Sequence, residues 1–172
     1  WVESSITYNN APTISGDGDS TTQDLDTTNL TLLDTFQVAS SGVSTNSTPE
    51  MLAFLQADTD ERVTFVIYMS DAANRNVHFA SKEHATAMVP TLTLEISETG
   101  VKALTPDADS VAFEHSPTQI EGAKVQIQAR SSATQGRQFV SFVRFPLGSV
   151  PDLAALTDAK LELESIHQAC NF

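Results

Sequence analysis

Apolar and polar positions alternate with period two along much of the chain, the signature of strands that turn one face to a core. Leu92-Thr93-Leu94-Glu95-Ile96, Val125-Gln126-Ile127-Gln128-Ala129, Phe139 through Phe145 and Leu161-Glu162-Leu163-Glu164 follow this pattern. Leu30 through Val38 reads as one or two further short strands. Val63 through Met69 is almost continuously apolar, as expected of a strand covered on both faces. The period changes at Thr48-Pro49-Glu50, which precedes Met51, Leu52, Phe54 and Leu55. A capping hydroxyl, a proline at the first helical position, an early acid and one apolar side predict a short helix over 49–57, lying across one end of the strands. Leu153-Ala154-Ala155-Leu156 predicts a second helical turn. Residues 15–28 are acidic and polar with no apolar period, and 98–106 separates two strand-bearing regions; both read as connections. The whole pattern predicts an all-β fold, an antiparallel β-sandwich of jelly-roll-like form with one short helix.

Composition narrows the classes. With 172 residues, 40% hydrophobic and only 18% charged, the chain can bury a core, and disorder and coiled coil are excluded. No apolar run approaches the ~18 residues of a membrane-spanning helix. Nine Lys+Arg against 22 Asp+Glu leave a net charge of −13, which argues against nucleic acid and anionic membrane surfaces as partners. Ser and Thr make up roughly a fifth of the residues, the look of an extracellular or cell-surface β module. The sequence opens at Trp1 without Met or signal peptide, which reads as a processed or excised form. Asn29-Leu30-Thr31 and Asn46-Ser47-Thr48 fit the glycosylation acceptor pattern, with two ordinary polar loops as the competing reading. The lone Cys170 rules out an internal disulfide and has two open roles, a small buried hydrophobe or a link to another chain.

Candidate chemistry is sparse. Asp17, Asp19, Asp24 and Asp26 offer carboxylates for calcium, a hard cation, but lack the glycine and terminal glutamate of an EF-hand, and a solvated acidic loop competes. Asp107 and Asp109 form a second acidic pair at a strand start, where capping of the backbone is the plainer role. His78, His84, His115 and His167 are scattered, without a zinc-binding spacing. No nucleophile elbow, phosphate-cradling glycine loop or H-E-x-x-H motif occurs. Glu3 and Glu83 are two among 22 acids and do not by themselves indicate glycosidase chemistry. The expectation is a protein that is not an enzyme. Polysaccharide recognition needs aromatic platforms, and bases if the sugar is acidic. The candidates are Trp1, Tyr8 and Tyr68, with Arg75, Lys82, Arg62, Arg130 and Arg137.

The first stretch, Trp1-Val2-Glu3-Ser4-Ser5-Ile6-Thr7-Tyr8-Asn9-Asn10-Ala11-Pro12, resembles the W-x-E-x-x-I-T-x-N-x-x-P segment of DNRLRE-type extracellular modules. Val77-His78-Phe79-Ala80-Ser81-Lys82-Glu83 with Pro90-Thr91-Leu92-Thr93-Leu94 is similar to their closing segment. Ala108-Asp109-Ser110-Val111 resembles their opening strand. Arg137 through Leu147, Ser149-Val150-Pro151 and Ala159-Lys160-Leu161-Glu162-Leu163 are similar to their core. The family comprises β-sandwiches, among them carbohydrate-binding modules of bacterial polysaccharide-degrading enzymes. This sequence departs from it at Pro146, where an acid is usual, and in the order of the parts.

The resemblance divides the chain into a closing half, 1–97, a linker or crossover, 98–106, and an opening half, 107–172. It also implies a structural ion pair between Glu83 and Arg144 in or near the core. A half module leaves unpaired strand edges and an uncovered apolar face. The halves can complete one another within one chain, along a tandem array, or between copies joined head to tail. The leading expectation is a non-enzymatic extracellular assembly unit that forms a filament by strand complementation between copies of itself. The alternative is a carbohydrate-binding module of a secreted polysaccharide-active protein or adhesin.

Overall fold

The computed structural model describes residues 1–14, 25–38, 41–70, 75–97, 99–131 and 138–170, with the backbone alone at 168–170. Among the described residues nine strands form one sheet joined by antiparallel pairing, with a single short α-helix. The strands are β1 (Gly42–Asn46), β2 (Arg62–Ile67), β3 (Arg75–Ala80), β4 (Thr91–Ile96), β5 (Gly100–Leu104), β6 (Ala108–Phe113), β7 (Gln126–Arg130), β8 (Phe139–Pro146) and β9 (Leu156–Cys170). The helix α1 spans Pro49–Gln56 between β1 and β2. The all-β expectation holds. No helix among the described residues is long and apolar enough to cross a membrane.

The order along the sheet is β2-β8-β7-β3-β9-β4-β5, with β1 also on β9 and β6 also on β8. β8 lies between β2 and β6, its residues opposite Arg62–Ile67 on one side and Ala108–Phe113 on the other. The long β9 pairs with β3, β4 and β1. The two groups meet at the register pair Arg130↔Phe139. They also meet at Ser141, whose hydroxyl donates to the Gln128 carbonyl at 2.7 Å and accepts from the Gln128 N–H at 2.9 Å.

Alternation sets the core. Leu92, Leu94 and Ile96 of β4, Leu161 and Leu163 of β9, and Val143 and Phe145 of β8 share one buried cluster with Val63, Phe65 and Ile67 of β2. Each such side chain removed from water contributes about 1.5–3 kcal/mol. The opposite faces of β2 and β8 are covered too. Ile6, Tyr8, Ala11, Ile14 and Leu25 pack on Val140 and Phe142, with Val66 and Tyr68 at the margin. The near-continuous apolar run at 63–69 thus has a core on each side.

Three local expectations need correction. Residues 30–38 carry no regular element among themselves; Leu33, Phe36 and Val38 pack partly buried on the main core without ladder partners. The segment 98–106 is more than a connection, since Gly100–Leu104 folds back on β4 in the register Leu92↔Leu104 to Ile96↔Gly100. Gly100, at φ 87°, makes that turn. In α1 the cap is as expected, Met51 N–H donating to Thr48 Oγ1 at 3.1 Å. Met51 and Leu55 are buried and Leu52 partly so, but Phe54 remains 40% exposed. Leu153–Ala155 forms one 3-10 turn capped by Asp152.

Candidate functional site

The densest group of ionisable side chains lies where the N-terminus crosses the start of β6. Glu3 opens a 3-10 turn over Glu3–Ser5, and the turn is pressed against Gly122. A Cβ at Gly122 would stand 2.6 Å from the Glu3 carbonyl oxygen, so only glycine admits this approach. Glu83 lies in the turn after β3. That turn is fixed by Ser81, whose N–H donates to the Val125 carbonyl at 3.2 Å and whose hydroxyl donates to the Lys124 carbonyl at 2.6 Å. The Glu83 N–H in turn donates to Ser81 Oγ. Asp109 is the second residue of β6, opposite Val143, and is only 1% exposed.

These elements bring one carboxylate oxygen each from Glu3, Glu83 and Asp109 within 4.8 Å of one another. Lys82 answers part of the charge. Its Nζ lies 3.0 Å from Glu3 Oε1 and contacts Glu83 Oε1. Its backbone N–H donates to Asp109 Oδ2 at 2.6 Å, and the Asp109 N–H donates to Glu3 Oε1 at 3.3 Å. Three carboxylates thus face one ammonium. Two buried oxygens, Glu83 Oε2 and Asp109 Oδ1, have no hydrogen-bond partner. Burial above all, and then Glu83 and Glu3, push the Asp109 carboxyl up to about 7, against the pull of the Lys82 N–H and charge. Burial draws the Lys82 ammonium down, but its bonds to Glu83 and Glu3 outweigh that and raise its pKa. The shallow groove formed by Phe54, Asp58, Thr59, Asp60 and Arg62, about 380 Å³ in volume, shares no residue with this cluster.

Searched against protein-family models, curated proteins and solved structures, the chain matches none.

The structure brings Lys82 and Glu83 together but sends Arg144 elsewhere. The expected Glu83–Arg144 pair is replaced by a forked contact of Arg144 with Asp107, Nε to Oδ1 at 2.8 Å and Nη2 to Oδ2 at 3.1 Å. The reason is register: Arg144 stands opposite Ala108 on β8, next to Asp107, while Lys82 is adjacent to Glu83 and reaches it first. Arg144 Nη1 also donates to the Trp1 carbonyl at 2.6 Å, and its guanidinium lies 5.1 Å from the Trp1 ring.

The aromatic glycan candidates do not form an open platform. Tyr8 is buried, and Trp1 packs edge-on against Phe142 at 6.4 Å while its Nε1 donates to Thr64 Oγ1. Tyr68 is half-buried against the second cluster. Among the bases, Arg75 and Arg62 are exposed on different strands, and Arg130 is buried over Phe139. Arg137, with Asp17, Asp19 and Asp24, lies outside the described residues, as does the Cys170 side chain. Asp26 has its pKa lowered by the Thr28 side chain and then by the Thr28 N–H, which donates to it at 2.9 Å, both local turn bonds. Asn29 is exposed. Asn46 is not a loop acceptor: it is 5% exposed in β1 and donates to the Leu161 carbonyl, which leaves no room for a sugar.

The sequence pattern assigns Asp109 a local capping role and does not reveal its link to Glu3. One signal was present. Asp109 shares the parity of Val111 and Phe113, so an acid stands in an inward series of a strand, where an unpaired charge is costly.

Proposed function

We propose that this chain is a non-enzymatic extracellular structural protein whose two halves complement one another by strand pairing, and that successive copies exchange halves to build a filament or array. One observation carries the reading. Among the described residues none of β1, β2, β3 and β4 pairs with another of these four; β1 lies on β9, β2 on β8, β3 on β7 and β9, and β4 on β9 and β5. Apart from the β4–β5 hairpin, the first half has no sheet of its own among the described residues and takes its ladder from the second.

In the closed chain these pairings are made internally. The same registers serve between copies, because exchange of an element reuses contacts that already exist. Within the linker 98–106, β5 folds back on β4 and leaves only Thr105-Pro106 as free connection to the second half at Asp107, and short connections favour such exchange over closure. Exchange of unlike halves is head to tail, so it propagates as a filament unless the rotation between copies closes a ring. Burial of Tyr8 and the packing of Trp1 weigh against a glycan-binding surface built on those rings.

Negative-stain microscopy with light scattering on purified protein tests the reading. Regular fibres with an axial repeat of one module are expected. A particle of 18.5 kDa at every concentration would refute exchange.

A further inference from the structure

We propose that Glu3, Glu83 and Asp109 bind one hard divalent cation, calcium, which ties the N-terminal turn and the loop after β3 to the start of β6. Proximity of acids alone does not carry this. The second observation is Asp109 itself, 99% removed from solvent on the residue scale yet holding Oδ1 without any hydrogen-bond partner beside two other carboxylates. An ionised carboxylate oxygen left bare there costs the full desolvation of the group, a cost that a proton removes at low pH and a cation removes once the carboxyl ionises. Glu83 Oε2 is bare in the same way.

The donor set fits calcium better than magnesium. Calcium takes six to eight oxygens in adaptable geometry and accepts carboxylates in either mode, whereas magnesium keeps its waters and uses one or two carboxylates. The Lys82 ammonium now shares the charge of Glu3 and Glu83. Its side chain is 24% exposed, so it has an open side toward which to swing when a divalent ion enters. Lys82 thereby competes with the metal. Glu3 and Glu83 come from the first half and Asp109 from the second, and the site forms whether the two halves belong to one chain or to two. Its failure would leave the assembly reading standing, and the reverse.

The test is calorimetric titration of the metal-stripped protein with calcium chloride, with magnesium chloride for comparison, alongside thermal unfolding. One calcium per chain is expected, with Tm raised by about 5 °C or more at roughly a hundredfold excess over Kd. Asp109→Asn and Glu83→Gln are each expected to weaken binding by about tenfold or more. Lys82→Met should tighten it by removing the competing charge, a gain that a merely structural lysine would not give. Asp26→Asn should leave it unchanged. No heat and no Tm shift with the unaltered protein would overturn the proposal. So would calcium binding of undiminished affinity in both Asp109→Asn and Glu83→Gln, which would put the ion elsewhere.

Discussion

Asp109 concentrates the electrostatic tension of the molecule. Its carboxyl titrates at about 7 in the fold against an ordinary 3.8. Between those values the folded chain keeps a proton that the unfolded chain has released, so stability falls as pH rises through the window. At about 1.4 kcal/mol per unit the loss reaches about 4 kcal/mol at most. The facing groups are Glu3, Glu83 and Lys82. In chelator, urea unfolding from pH 4 to 7.5 should show this decline, and Asp109→Asn should flatten it. A variant profile parallel to that of the unaltered protein would contradict the assignment. His78 works in the opposite sense, since burial, with the His167 charge across the strand pair adding to it, lowers its pKa against the hydrogen bond its Nδ1 donates to Gln126 Oε1. That part of the stability is lost as pH falls, and the difference between the two proteins isolates Asp109. Gly122 gives a second prediction. Its replacement by alanine drives a methyl into the Glu3 backbone and should cost about 1–3 kcal/mol, read from the urea midpoint. From the sequence alone Lys82 and Glu83 were visible as neighbours. Their meeting with Glu3 and Asp109 was not, because 106 positions separate Glu3 from Asp109 and only the fold closes that distance.

At the scale of elements, periodicity located what pairs in the ordinary way. The strands at 92–96 and 161–164 were legible because their buried residues recur at every second position, and that at 139–145 because large apolar residues stand on both of its covered faces. β1 was not, since Gly42-Val43-Ser44-Thr45-Asn46 carries one large apolar residue and Val43 is itself 50% exposed; its ladder with β9 defines it. β5 was hidden for the same reason, with Val101 68% exposed at the end of the sheet order. The helix was legible from its cap, but its orientation was not. Leu55 is fully buried and Phe54 faces solvent, so Leu55→Ala should cost about 2–5 kcal/mol and Phe54→Ala under about 1 kcal/mol. Chemical denaturation of both variants checks the helix rotation, and equal losses would contradict it.

For the whole molecule, the proposed assembly rests on how strands before and after the β5 hairpin pair with one another. The first-half strands β1, β3 and β4 all pair with β9, which is fifteen residues long, and β2 pairs with β8. Sequence could not say whether these ladders close within a chain or run between chains, because both use the same residues in the same register. The most direct test is a disulfide across the halves. Glu95 and Asp158 face each other in the β4–β9 register. Cysteines there, with Cys170 replaced by serine, are oxidised in the assembled protein and run on a denaturing gel without reductant. Exchange of halves predicts a ladder of covalent multimers that collapses to one band on reduction. A single monomer band that shifts on reduction would show the link within one chain and contradict assembly by complementation.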